Sequence, residues 1–130
     1  MRTMHILVTE SAPGASRRLV GRLRELGCRV SACHDSSTVC RAVAPGGGCP
    51  LDGAEPAGIV VDVRDGAGEL TAREYGVVCG VRARRQVVFV DVDEDRRAAV
   101  PTGMNPHMTA VQMPALVQAC ADALRTEQGR

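Results

Sequence analysis

The chain has 130 residues, a formal net charge of +1 and 45% hydrophobic residues, enough for one domain with its own core. Nearly balanced charge excludes a bulk electrostatic pull toward nucleic acid or an anionic membrane surface. No apolar run approaches the ~20 residues of a membrane-spanning helix.

All sixteen basic side chains are arginine, so no side-chain ammonium is available to any site. One Tyr, one Phe and no Trp argue against aromatic platforms for single-stranded nucleic acid. The start, MRTMHILVTESAPG, has too short an apolar run for a signal-peptide core. The expectation is a cytoplasmic protein whose cysteines are reduced and mostly buried. Cys28, Cys33, His34, Cys40 and Cys49 match no standard zinc spacing. His5, His34 and His107 are scattered and receive no role, and Met104, Met108 and Met113 read as gap-fillers.

In chain order, MHILVT (4–9) reads as a strand ending at Glu10. SAPGAS follows as a turn-rich loop with Ser16 placed to cap a helix. RRLVGRLRELG puts Leu19, Val20, Leu23 and Leu26 at helical spacing and ends on a glycine suited to a C-cap. CRVSAC alternates as a second strand. Asp35, Ser36 or Ser37 opens a second helix running to about Val43. Residues 45–57, rich in Gly and Pro, read as a mobile surface loop within a single domain spanning 1–130. GIVVDV is a third strand covered on both faces. TAREYGVVCGVRARR predicts a helix weakened at Gly76 and Gly80, and QVVFVDV a fourth buried strand ending near Asp91. DEDRRAAV suggests a short helix, Met108–Val111 a fifth, edge strand, and MPALVQACADALRT a last helix.

The β-α alternation predicts a parallel sheet with helices on both faces: a doubly wound, five-stranded (βα)5 domain of flavodoxin-like type. Glu10, Asp62 and Asp91 then fall at carboxyl ends of strands, where such sheets gather functional groups.

With that order and spacing, the chain resembles a response-regulator receiver domain, the phosphoacceptor module of two-component signalling. ILVTE stands where the family's first strand ends in two acidic residues. RRLVGRLRELGCRVSACHDSSTVCRAVA is similar to the segment from the first to the second helix. AGIVVDVRDG resembles the phosphoacceptor segment, with Asp62 on the phosphorylated aspartate. VRARRQVVFVDVDED and PALVQACADALR resemble the fourth-strand region and the last helix.

The departures carry the mechanism. The acidic pair that holds Mg²⁺ in the family is here Thr9 and Glu10. The hydroxyl residue ending the fourth strand is replaced by Asp91. The fifth-strand lysine is replaced by Thr109. The resemblance implies Mg²⁺ as the one candidate cofactor, held by Glu10 and Asp62. Losing an ammonium and gaining a carboxylate both oppose phosphoryl transfer. Each is worth about 4 kcal/mol at ~4 Å and an effective dielectric of ~20. Arg64, the nearest arginine in sequence, is expected to point to solvent.

The resulting expectation is a stand-alone pseudo-receiver with a degenerate site of Asp62, Glu10, Asp91 and Thr109. It has no catalytic activity of its own and regulates through protein partners. A homodimer through the last helix and its neighbouring strand follows from the resemblance, with no nucleic acid and no membrane partner. One alternative is a working response regulator that uses Asp62. Another is a Mg²⁺-dependent nucleic-acid domain, since Glu10 with Asp91-Val92-Asp93 resembles the Glu and DxD signature of Toprim domains. A small-molecule-binding flavodoxin-like domain is a third, against which SAPGAS offers only one glycine for a phosphate cradle.

Overall fold

The computed structural model describes residues 4–32 and 48–128. Five strands form one parallel sheet: β1 (His5–Glu10), β2 (Arg29–Ala32), β3 (Ile59–Arg64), β4 (Gln86–Asp91) and β5 (Thr109–Ala110). Their order is β2-β1-β3-β4-β5. Among the described residues three α-helices accompany them: α1 (Arg17–Glu25), α2 (Gly76–Arg82) and α3 (Met113–Gln128). This is the expected flavodoxin-like doubly wound α/β fold. The order reverses between β1 and β3, so their carboxyl ends flank the crevice where this architecture places its sites.

Alternation along the strands divides the core in two. Ile6, Val8, Val61, Val63, Val88 and Val90 face α1 and α3, meeting Leu19, Leu23, Met113 and Leu116. Leu7, Val60, Val87 and Phe89 face α2, meeting Val77, Leu51, Ala57 and Ala98. The second face therefore also carries Thr9, Asp62, Arg64 and Asp91.

α1 ends as the sequence predicts. Gly27 has φ +95°, and the N–H groups of Gly27 and Cys28 return to Arg24 O and Leu23 O, which is a Schellman cap. Its start differs from expectation. Ser16 precedes the helix but makes no side-chain cap bond to it, because its hydroxyl donates to Glu10 Oε1 at 2.7 Å.

The segment after β3 is broken rather than continuous. A 3-10 turn, Ala72–Glu74, precedes α2, with Tyr75 as the joint. Gly80 lets α2 lie close on the sheet: a Cβ there would meet Val60 Cγ2 at 2.7 Å.

The short helix expected in DEDRRAAV is absent; residues 92–96 form bends and turns. Asp91 Oδ1 accepts from Asp93 N–H at 2.9 Å, and Asp93 Oδ1 from Asp95 N–H at 3.0 Å. Such self-bonding aspartates compete with helix formation. Within 48–57, Leu51 and Ala57 are buried and Ala57 N–H donates to Pro50 O, so this part of the Gly/Pro-rich loop is packed onto the α2 face. The helix expected to run to about Val43 lies outside the described residues, as do Cys33, His34 and Cys40.

Candidate functional site: a closed carboxyl cluster at the sheet switch point

Asp62 stands at the switch point, opposite Thr9 on β1 and Phe89 on β4. It is 0% exposed. Thr9 Oγ1 donates to its Oδ1 at 2.7 Å. Its Oδ2 is buried with no hydrogen-bond donor among the described residues. Among the described residues its ion-pair partner is Arg64, whose Nη1 lies 3.7 Å away.

Arg64 does not point to solvent. It is two residues beyond Asp62 on the same face, is 3% exposed, and lies over the aspartate. The residue that holds it there is Glu74, 0% exposed, whose Oε2 pairs with Arg64 Nη1. Arg64 Nη2 donates to the carbonyls of Gly68 (3.3 Å) and Glu69 (3.2 Å). One guanidinium thus pins the β3–α2 connection over the strand end. Glu74 is oriented in turn by Thr71 N–H, which donates to its Oε1 at 2.8 Å; this is one half of a capping box. Thr102 N–H donates to Gly68 O at 2.9 Å and joins the loop before β5 to the same cover.

Two carboxyl groups therefore share one guanidinium away from water. Burial, the side-chain hydrogen bond with Glu74 and the Glu74 charge outweigh the Thr9 hydroxyl and Arg64, pushing Asp62 up to about 8. The shift favours the neutral carboxylic acid, whose proton on Oδ2 would turn that unpartnered acceptor into a donor.

Glu10 is turned away from this cluster. It accepts from Gly14 N–H (3.1 Å), Ser16 N–H (3.0 Å) and the Ser16 hydroxyl. Arg73 Nη2 reaches it at 3.1 Å. Partial burial raises its carboxyl, but the Ser16, Gly14 and Arg73 bonds together hold it below its ordinary 4.5. It acts as a built-in anion at the approach to α1.

Asp91 is buried, in register with Arg64, with Oδ1 taken by Asp93 N–H. Thr109 is exposed and pairs in register with Val88, on the α3 face. The strands bring Asp62, Thr9 and Arg64 together, and leave Glu10 and Thr109 outside that group. Among the described residues no group of three or more His, Cys, Asp or Glu side chains is placed to hold a metal ion. A cation shared by Glu10 and Asp62 would have to compete with the Gly14, Ser16 and Arg73 donors already on both Glu10 oxygens.

Sequence reasoning missed Arg64 and Glu74 as site residues. Each left a signal. Arg64 is at i+2 from Asp62 on a strand, hence on its face, and Thr71-x-x-Glu74 is a capping-box pattern.

Comparison with protein-family models, with curated proteins and with solved structures finds no match to this chain.

Proposed function

We propose that this chain is a receiver-like regulatory domain that acts through protein contacts without conventional phosphorylation of Asp62. The observation that carries the reading is the burial of Asp62 beneath the Arg64–Glu74 pair. Accepting a phosphoryl group requires an ionised carboxylate, in-line access and cations free to meet the incoming oxygens. Here burial and the neighbouring Glu74 push the carboxyl toward its neutral form, it has no exposed surface, and the nearby guanidinium is committed to Glu74 and two carbonyls.

The Toprim-like alternative is less well supported. Glu10 and Asp91 stand on strands separated by β3, about 10 Å apart at ~4.8 Å per strand. Both carboxylates accept hydrogen bonds from their own chain.

With the rim closed, the surface of α3 and β5 is the one proposed for partner contact. An apolar depression of about 850 Å³ borders this face at Thr109, Ala115, Ala119 and Ala123 and extends past Gln86 and Ile59 to His5 and Glu55. A second copy of the chain is the partner proposed for it.

The test is incubation with Mg²⁺ and a small phosphodonor, followed by intact-mass and peptide analysis. The proposal expects no phosphoaspartate at Asp62; stoichiometric modification there overturns it.

A further inference from the structure

The opposite end of the sheet holds a second constellation, independent of the Asp62 rim. His5 opens β1 beside Arg29 of β2, and Leu7 stands beside Ser31. Alternation puts Ser31 on the face of His5, as its diagonal neighbour. Its Oγ is 2.7 Å from His5 Nε2. His5 Nδ1 is 2.8 Å from the main-chain oxygen of Glu55.

These partners fix the tautomer. A carbonyl oxygen can only accept, so in the neutral ring Nδ1 carries the proton and Nε2 presents its lone pair to the Ser31 hydroxyl. That is the form a general base needs. A proton arriving at Nε2 breaks neither contact, because the imidazolium still donates to Glu55 O and to the oxygen in front of Nε2. The carbonyl is held in place: Ala57 N–H bonds Pro50 O at 2.8 Å, Leu51 and Ala57 are buried, and Arg29 Nη1 meets Glu55 Oε2 at 3.3 Å. Ser31 and His5 open onto a depression of about 440 Å³, also lined by Arg29, Cys49, Asp52 and Glu55. Nucleophile, base and orienting group thus occur together at a surface that a small molecule can enter.

We infer that Ser31 is an activated nucleophile, with His5 as its base and the Glu55 carbonyl as the orienting group, and that it takes an acyl group from small carboxylic esters. The Oγ–C bond forms as the Ser31 proton passes to Nε2. The C–O bond to the departing alcohol breaks as Nε2 returns that proton to the leaving oxygen. Acyl-serine remains and the alcohol is released.

The alternative is that the same bonds merely tie the 48–57 loop to β1 and β2. The full chain is treated with p-nitrophenyl acetate and, separately, with a fluorophosphonate, and adducts are mapped by mass spectrometry. The expected result is stoichiometric adduct on Ser31, absent in Ser31→Ala. It should form ~100-fold or more slowly in His5→Gln, which keeps amide hydrogen bonding but has no base. Circular dichroism verifies that each variant is folded. If His5→Gln does not fold, wild type is compared with itself in urea, where the Ser31 rate must fall by the same order. No Ser31 adduct, adduct on Cys49 alone, or an undiminished rate in the folded His5→Gln variant or the urea-unfolded chain overturns the inference.

Discussion

Arg64 Nη1 stands 3.7 Å from Asp62 Oδ2 while bonded to Glu74 Oε2, so one buried guanidinium lies between two buried carboxyl groups. If both were ionised, two negative charges would face one positive charge without water. Protonating Asp62 removes the excess. The position that the receiver resemblance marks as reactive is thereby part of the packing.

Stability therefore depends on pH in a defined direction. Asp62 is raised from 3.8 to about 8, so between these values the folded state holds a proton that the unfolded chain has released. Its contribution is fully present below about pH 4 and is lost as pH rises toward 8. Besides Arg64 from its own strand, the groups near Asp62 are Thr9 from β1 and Glu74 from the 3-10 turn. Asp62→Asn mimics the neutral acid, keeping an acceptor for Thr9 and a donor toward Glu74. Urea unfolding at pH 3.5, 7 and 9 should show the variant close to wild type at pH 3.5, where Asp62 is protonated in both folded and unfolded states, and increasingly more stable than wild type at pH 7 and 9.

Breaking the Arg64–Glu74 pair from either side should be expensive. Glu74→Ala leaves a buried guanidinium with reduced compensation, and Arg64→Leu leaves a buried carboxylate. Each is expected to cost about 3–5 kcal/mol in chemical denaturation. The paired change Arg64→Leu with Glu74→Ala should cost less than the sum of the two single changes, since neither member of the pair is left unpaired.

Gly80→Ala is expected to destabilise. The added Cβ meets Val60 Cγ2 at 2.7 Å, an overpacking cost of about 1–3 kcal/mol. The helix-propensity gain of about 1 kcal/mol offsets only part of it. Thermal unfolding should give a lower Tm than wild type; a higher Tm would mean that α2 can move off the sheet.

Glu10 titrates in the opposite sense from Asp62. Its carboxyl is held below 4.5, so its contribution is present above that value and is lost as pH falls through the lowered one. Glu10→Gln should cost about 1 kcal/mol at pH 7 and flatten the acid limb of the stability profile, as read by urea unfolding between pH 2 and 6.

Most of the fold was legible because hydrophobic periodicity and parallel-sheet topology are redundant signals. GIVVDV and QVVFVDV read as buried strands without ambiguity, and Gly27 marked the end of α1. The segment after β4 misled because DEDRRAAV has helical composition, whereas its aspartates bond their own backbone. The site was legible in position but not in partners. Strand alternation alone could place Arg64 on the face of Asp62. Whether it turned out to water depended on Glu74, ten residues later, folding back over it. The pairing of His5 with Ser31 likewise depended on the β1–β2 register, which neither strand specifies alone.

The most direct test is a carbon-13 NMR titration of the Asp62 side-chain carboxyl from pH 4 to pH 10, with and without Mg²⁺. A protonated resonance through neutral pH, a midpoint near 8 and no response to Mg²⁺ at pH 7 are expected. A carboxylate already ionised at pH 5, or one that shifts when Mg²⁺ is added, would contradict that expectation.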